Sequence, residues 1–313
     1  MGERVLAPTW GGYKDVKEIP LSLSYLQKAK RAGIKITPLL HNDFDLQETK
    51  KLLHDSGAVQ NLARQITATA LVYDLGGWNL DFENMDEADK FLYTEFIKTV
   101  SEKLHMYGKK ISVDVTVNSD SPNWSLCYDR KGMAAYVDYE VIMGYDQTPR
   151  GSRYSGSVSS YSWLRHHIGV LLKQVPNNKL VLGLPFYTRI WTGKEGQAAS
   201  SVLMMRQIKS LLGQNNIGLF WNPEDRQYVG IWEENGQTRK VWFEERRSLQ
   251  EKVSLAHDYK LAGLAFWRYG FETEDIYDQI EGAFLNKKDE SVRYKNRSED
   301  ILIKFRERLK RAQ

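Results

Sequence analysis

Residues 76–83 read Gly-Gly-Trp-Asn-Leu-Asp-Phe-Glu, and this run decides how the rest of the chain is interpreted. Its apolar and polar residues alternate, and successive side chains of a strand point to opposite faces. The apolar set, expected to face a layer of helices, is Trp78, Leu80 and Phe82. The polar set is Asn79, Asp81 and Glu83, and these side chains are expected to point together to the opposite face, into the interior of a barrel. Such a strand is predicted to carry chemistry, because a structural strand would have apolar residues on both faces.

The polar face of this strand has the composition of an acid–base site. Asp81 and Glu83 begin roughly 6.6–6.8 Å apart along a strand, so their side chains can lean together. The negative charge of Asp81 is expected to raise the pKa of Glu83, which keeps Glu83 a usable acid near neutral pH. A solvated surface strand and a divalent-metal site with oxygen ligands are the alternatives that this run leaves open.

Apolar runs alternate with longer amphipathic segments along the chain, which indicates strand–helix units and a parallel sheet. The predicted strands are residues 5–10, 34–40, 78–82, 110–116, 139–145, 179–185 and 263–267. The predicted helices are residues 21–32, 59–73, 86–105, 161–174 and 248–259. Seven such strands favour an α/β barrel of the TIM (β/α)8 type over an open doubly wound sheet. The absence of a Gly-rich phosphate loop after an early strand also argues against the open sheet.

Two segments interrupt or extend this pattern. Residues 228–232 and 239–243 flank Asn235-Gly236, a strong hairpin signal, and predict a small α+β insertion at about residues 192–247, between the last two strands. Residues 286–313 hold ten Lys or Arg against five Asp or Glu and predict a basic amphipathic helix. The predicted domains are therefore a barrel at residues 1–285 and a tail at residues 286–313. The net charge of +4 belongs to that tail, so nucleic acid is not an expected partner.

Composition excludes several further classes of protein. Cys127 is the only cysteine, which excludes intramolecular disulfides and cysteine-based zinc sites. No apolar run approaches the roughly 18 residues that a membrane span needs. The residues after Met1 lack the layout of a signal peptide. We expect no cofactor, no metal, no membrane partner and a monomer.

The central run resembles the signature of glycoside hydrolase family 18, the chitinase family, usually Asp-Gly-x-Asp-x-Asp-x-Glu. Its Asn form followed by Phe-Glu-Asn is similar to a branch from spore-forming bacteria that includes spore peptidoglycan hydrolases. Further family-like motifs lie in the expected order between about residues 5 and 280. They are residues 121–124 (Ser-Pro-Asn-Trp), 143–146 (Met-Gly-Tyr-Asp), 182–187 (Leu-Gly-Leu-Pro-Phe-Tyr), 241–244 (Val-Trp-Phe-Glu) and 263–268 (Gly-Leu-Ala-Phe-Trp-Arg).

This resemblance implies a retaining glycosidase whose substrate supplies the nucleophile. The 2-acetamido oxygen of the sugar would attack C1, while Glu83 would protonate the leaving oxygen and then activate water. Asp81 would hydrogen-bond both Glu83 and the acetamide N–H, and Asn79 would hold Asp81. Tyr145 would donate its hydroxyl to the acetamide oxygen.

The resemblance also implies which residues bind the substrate, a polysaccharide or peptidoglycan that contains N-acetylglucosamine. The candidates are Asp146, Trp267 (as the floor under the reacting ring), Tyr187 and Arg189, with Asn42, Trp10 and Trp191 as weaker ones. For isolated aromatic residues, packing in the core is an equally good interpretation.

Two departures from the family pattern qualify these expectations. Gly76 stands at the first Asp of the signature, where we expect a structural effect. Residues 5–10 match the second strand of the family, so the chain is expected to lack the first barrel strand.

A non-catalytic carbohydrate-binding protein, or lectin, is the alternative function. The resemblance implies a location at the spore or cell wall.

Overall fold

A computed structural model describes residues 5–6, 9–12, 23–214, 217–277, 280 and 282, with the backbone alone for residues 5–6, 9–12, 209, 214 and 275. Fourteen strands lie in these ranges: β1 (Val5–Leu6), β2 (Thr9–Gly12), β3 (Lys35–Ile36), β4 (Leu39–His41), β5 (Gly77–Asp81), β6 (Lys110–Thr116), β7 (Tyr139–Met143), β8 (Leu180–Pro185), β9 (Tyr187–Thr192), β10 (Ala199–Met204), β11 (Gly218–Asn222), β12 (Gln227–Glu234), β13 (Gln237–Phe243) and β14 (Gly263–Trp267). The α-helices of the same ranges are α1 (Leu23–Arg31), α2 (Leu46–His54), α3 (Ser56–Val72), α4 (Lys90–His105), α5 (Arg130–Met133), α6 (Tyr161–Leu171), α7 (Met205–Gln214) and α8 (Arg246–Asp258). The predicted tail at residues 286–313 lies outside the described residues.

The main sheet has seven parallel strands in the order β14-β8-β7-β6-β5-β4-β2. This order follows the chain without a reversal, whereas a doubly wound sheet reverses its order at the centre. Strands β1 and β3 form a separate parallel pair, and Pro38 interrupts the run from β3 to β4 because proline has no N–H to donate. The carbonyl of Pro38 still accepts from the N–H of Asn79 at 2.9 Å. Within the described ranges, no pairing joins the edge strands β2 and β14.

The central strand β5 alternates as predicted. Its apolar side chains point into the helix layer, where the Trp78 indole N–H donates to the carbonyl of Ile66 in α3 at 2.9 Å. Beyond the strand, the ring of Phe82 packs on Tyr93 and Phe96 of α4, with centroids 5.7 and 5.6 Å away. Burial of these side chains fixes the register of β5 and turns its polar residues toward the interior.

A second sheet forms the insertion. Its five antiparallel strands run in the order β10-β9-β13-β12-β11 and pack on α7 through a small core that includes Trp232, Val241 and Phe243. The predicted hairpin is present between β12 and β13. Asn235 and Gly236 have φ values of 52° and 71°, and this left-handed conformation is the one that tight hairpin turns require. This second sheet begins at Tyr187 with β9. The division of the chain into a barrel at residues 1–285 and a tail at residues 286–313 stays a proposal.

Glu140 of β7 is buried on the helix side of the main sheet. It shares that face with Ile142 and has no exposed surface, and neither carboxylate oxygen has a hydrogen-bond partner within the described residues. Burial raises the pKa of Glu140 to about 8, although the nearby Arg130 opposes the shift. The side chain therefore keeps its proton in the fold at neutral pH.

Glu140→Gln is expected to become progressively more stable than wild type as the pH rises from about 5 to about 8. Over this window the unfolded wild-type chain loses a proton that the folded protein keeps, so wild-type stability falls by up to about 1.4 kcal/mol per pH unit. Glutamine has nearly the same shape and no such proton. Thermal unfolding across the pH range, with the exposed Glu95→Gln as control, measures the gap between variant and wild type. A gap that stays constant with pH would contradict the expectation.

Candidate active site

Three of the predicted catalytic residues, Asn79, Asp81 and Glu83, lie in the second half of β5 or just after it. Strand pairing places His41 of β4 directly beside Asp81, and Asn79 beside Ser112 of β6. Continuing the second register by two residues sets Asp114 of β6 next to Asp81. Asp81 therefore lies in one interior layer between a histidine and a second aspartate, neither of which the sequence pattern identified.

The side chain of Asn79 forms hydrogen bonds with the neighbouring strand β6. Its side-chain amide donates to the Ser112 hydroxyl at 3.0 Å and to Asp114 Oδ1 at 2.9 Å. The resemblance implied a contact with Asp81 instead. The difference follows from the geometry of parallel strands, which places lateral neighbours about 4.8 Å apart, closer than in-facing residues of one strand.

Asp81 combines burial with an unused acceptor. Its Oδ1 atom is buried and has no hydrogen-bond partner within the described ranges. Burial raises the pKa of Asp81 to about 6, and His41 opposes this shift. At neutral pH the site thus offers an anionic oxygen with no donor assigned to it. Burial of an anionic oxygen without a partner is costly, so Oδ1 is expected to accept a hydrogen bond from a donor inside the site.

Glu83 has the properties of a general acid. Burial, followed by the charges of Asp81 and Asp146, raises the pKa of Glu83 to about 8. The predicted effect of Asp81 has the right direction, but burial contributes more. Glu83 therefore carries a proton at neutral pH, as protonation of a leaving group requires.

Asn42 holds the backbone of Glu83. Its Nδ2 donates to the Glu83 carbonyl at 2.7 Å and to the Thr49 hydroxyl at 2.9 Å, while its Oδ1 accepts from the Glu83 N–H at 3.0 Å. The side chain is 1% exposed, so it lies behind the acid and away from the cleft. This placement differs from the substrate contact expected of Asn42 and indicates that it positions Glu83.

A second polar group lies after β7. The Tyr187 hydroxyl and Arg189 Nη2 both donate to Asp146 Oδ1, at 2.8 and 3.0 Å. The ring of Tyr145 packs edge-on against Tyr187 with centroids 6.2 Å apart. Burial raises the pKa of Tyr145 well above its usual value, so its hydroxyl keeps its proton and can donate. The structure thus brings Tyr145, Asp146, Tyr187 and Arg189 together, while their contact with a substrate stays a prediction.

Two glycines allow Tyr145 to lie where it does. A Cβ at Gly144 would come within 2.4 Å of the Gly183 carbonyl, and a Cβ at Gly183 would meet the Ile142 carbonyl at 2.5 Å. The ends of β7 and β8 can approach this closely only without side chains. Steric crowding therefore explains why glycine occupies the second position of the motif Met-Gly-Tyr-Asp.

The predicted tryptophans have different environments. Trp267 ends β14 and is 38% exposed, so its ring is available at the rim. Trp191 is buried, and its indole N–H donates to the Gly156 carbonyl at 2.8 Å, which favours the packing interpretation for this residue. The side chain of Trp10 lies outside what the structure describes.

Two exposed aromatic side chains near Glu83 carried no predicted role. Phe44 follows β4 and Trp124 follows β6; they are 56% and 41% exposed, with ring centroids 5.9 Å apart. The side-chain amide of Asn84 donates to the Phe44 carbonyl at 2.8 Å, and the Thr116 hydroxyl donates to the Trp124 carbonyl. The bonds to Asn84 and Thr116 fix an apolar surface beside the acid.

Left-handed backbone conformations concentrate at the same rim. Asp43, Phe44, Asn84 and Asp146 all have φ between 53° and 56° and follow the ends of β4, β5 and β7. Non-glycine residues rarely adopt this conformation, and such strain clusters at functional sites.

The parts of the chain described here contain no group of three His, Cys, Asp or Glu side chains that could hold a metal ion. Nor is any helix within them long and apolar enough to cross a bilayer.

Comparison with known proteins agrees with this geometry. The family model for glycosyl hydrolases family 18 matches residues 15–272, which is most of the chain and includes every candidate site residue except Trp10. The chain belongs to this family. Because family 18 is a family of glycosyl hydrolases, the chain is a glycosidase by family. The alternative function, a lectin, has no support among the relatives found.

Two curated relatives come from Bacillus subtilis (strain 168). The chain is 28% identical over 265 residues to the uncharacterized glycosylase YvbX, covering 82% of this chain and 76% of YvbX. It is 26% identical over 245 residues to the cortical fragment-lytic enzyme, covering 75% of this chain and 56% of that enzyme. The chain therefore spans little more than half the length of the second relative.

A solved structure confirms the predicted fold. A chitinase from Chromobacterium violaceum ATCC 12472 superposes with a TM-score of 0.80 at 19% identity, covering 90% of this chain and 99% of that one. At this identity the likeness concerns the fold alone. Together with the strand order, it supports the TIM-barrel-like architecture for this family 18 chain.

Proposed function

We propose that the protein is a retaining glycosidase that cleaves β-1,4 bonds next to N-acetylglucosamine in peptidoglycan or chitin, with help from the substrate's acetamide. The observation that carries the proposal is a pair of buried carboxyls, Asp81 and Glu83, at the end of one strand and with unequal pKa values. Burial and its neighbours raise the pKa of Glu83 to about 8, while that of Asp81 is about 6. Between these values Glu83 is an acid and Asp81 an anion, which is how one pair of carboxyls takes two roles.

The first step uses the proton on Glu83. Glu83 donates it to the glycosidic oxygen, and the bond from C1 to that oxygen breaks. The acetamide carbonyl oxygen of the same sugar forms a bond to C1, and an oxazolinium ring results. Asp81 accepts a hydrogen bond from the acetamide N–H and offsets the positive charge that develops there.

The second step reverses the role of Glu83. As a carboxylate, it takes a proton from water while the water oxygen attacks C1 and the acetamide leaves. Each of the two displacements inverts the configuration at C1, so the product has the same anomeric configuration as the substrate. Tyr145 donates to the acetamide oxygen, since its raised pKa keeps the hydroxyl protonated.

The surrounding residues suit a sugar polymer. Asp146, fixed by Tyr187 and Arg189, offers hydroxyl-binding oxygens, and the ring of Trp267 can lie against the C–H face of a sugar. Phe44 and Trp124 extend an apolar rim next to the acid. Cortex peptidoglycan is favoured among substrates because the cortical fragment-lytic enzyme is a relative.

Release of new reducing ends from N-acetylglucosamine oligomers and from spore cortex peptidoglycan tests this function. We expect the wild-type protein to shorten at least one of these substrates, with products identified by mass spectrometry. Binding of both substrates by folded protein without any new reducing ends would contradict the proposal.

A further inference from the structure

Asp114 is an acidic residue in the middle of a barrel strand, outside every motif of the sequence. The apolar residues of β6, Ile111, Val113 and Val115, are buried in the core beneath the helices. Alternation therefore turns Ser112 and Asp114 toward the interior. A carboxyl at this depth is costly unless it is hydrogen-bonded, and Asp114 is only 9% exposed.

The described side chains that act on the charge of Asp114 are two acids and an amide, and no Lys or Arg is among them. Asp81 at the end of β5 and Glu83 just beyond it lie near Asp114, as does Tyr145 from beyond β7. His41 lies on the far side of Asp81. Among the side chains that the structure describes, no Lys or Arg forms an ion pair with Asp81 or Asp114. Asp81 and Asp114 repel each other when both are charged, and His41 offsets the shift at Asp81 alone, so the pair is expected to hold one proton at neutral pH.

The hydrogen bonds indicate where that proton lies. The amide of Asn79 donates to Asp114 Oδ1 at 2.9 Å, which leaves Oδ2 as the oxygen that can carry a hydrogen. On the neighbouring strand, Asp81 Oδ1 is buried and has no donor. One lateral step between adjacent strands, about 4.8 Å, separates the two residues, within the reach of two aspartate side chains.

We propose that Asp114 is a neutral carboxylic acid in the working enzyme and donates a hydrogen bond to Asp81 Oδ1, which keeps Asp81 an anion for the substrate acetamide. Asp114 is thus a positioning residue that acts through Asp81 and does not touch the substrate. The catalytic part of this inference rests on the proposed function. The direction of the pKa shifts agrees, since burial raises the pKa of Asp114 well above its usual value.

The protonation of Asp114 can be measured without substrate. Carboxyl 13C NMR of aspartate-labelled protein at neutral pH should show a protonated aspartate whose signal is absent from Asp114→Asn. The exposed Asp258→Asn, as control, should keep that signal. An Asp114 carboxyl that is ionised at neutral pH would overturn the inference, whatever the activity of the protein.

The effect on catalysis separates two variants of Asp114. Asp114→Asn keeps a donor toward Asp81 and should lower kcat by less than about tenfold, with both limbs of the pH profile close to wild type. Asp114→Val removes the donor and should lower kcat by about 10- to 100-fold and move the acidic limb to higher pH, because the Asp81 anion loses a hydrogen bond.

The opposite pattern would overturn the inference. If Asp114 were charged, Asp114→Asn would remove a negative charge and shift both limbs to lower pH. A wild-type protein that turns over no substrate would refute the proposed function instead, and the NMR result would remain valid. An insoluble Asp114→Val would still leave the NMR signal and the Asp114→Asn profile to decide.

Discussion

Glu83→Gln is expected to lower kcat by about 10²- to 10⁴-fold, the usual contribution of a general acid. Glutamine fills the same space and can keep the backbone bonds that Asn42 makes to residue 83. It cannot release a proton to the leaving oxygen or accept one from water, so both chemical steps lose their catalyst. Because substrate contacts elsewhere remain, KM should change by much less than kcat. Initial rates on N-acetylglucosamine oligomers measure both constants.

The matched control for this variant is Glu95→Gln, on the exposed side of α4 and remote from β5. It should keep wild-type kcat and KM. Equal activity of Glu83→Gln and wild type would refute the assignment of the acid. A large rise in KM at constant kcat would show that Glu83 binds the substrate without taking part in the chemistry.

Asp81→Asn is expected to lower kcat by about 10²- to 10³-fold, similar to the loss of one electrostatic contact to a transition state. The change removes the anion that faces the acetamide N–H. It should also shift the alkaline limb of the pH profile. The charge of Asp81 helps to raise the pKa of Glu83, so without that charge Glu83 loses its proton at lower pH. Activity should then decline below the value of about 8 that limits the wild type.

A profile of kcat/KM against pH measures this shift in the free enzyme. Asp258→Asn, an exposed change at the end of α8, is the control and should match wild type at every pH. An Asp81→Asn profile whose alkaline limb stays in place would show that the two carboxyls do not interact.

The catalytic strand could be predicted because its signal is local. Alternation in residues 76–83 requires no knowledge of the neighbours, and the structure confirms that Trp78 and Phe82 are buried in the helix layer. Strands β6 and β14 agree with the predicted bounds for the same reason. The hairpin at Asn235-Gly236 also follows from its own two residues.

The neighbours of Asp81 could not be found in this way. His41 and Asp114 lie 40 and 33 residues from Asp81 along the chain, and only the register of parallel strands brings them beside it. Asn42 illustrates the same limit, since its polar side chain after a strand suggested a substrate contact. The structure uses it to bind the backbone of Glu83.

Several individual elements were also missed, some of them inside the insertion that was predicted only as an α+β unit. Helices α2, α5 and α7 were not predicted, nor were strands β9 to β11, whose sequences lack a clear apolar period. Trp124 was noted only as part of the motif at residues 121–124 and Phe44 not at all, because exposure of an aromatic ring depends on the fold around it.

The most direct test of the proposed mechanism compares two substrates of equal length and linkage that differ only in the acetyl group. The wild-type protein should cleave an N-acetylglucosamine oligomer and leave the corresponding glucosamine oligomer intact, because the second lacks the oxygen that attacks C1. Bound glucosamine oligomer, detected by calorimetry, would show that affinity alone does not explain the difference. Cleavage of both oligomers at similar rates would contradict the account, since the nucleophile would then have to belong to the protein or to water.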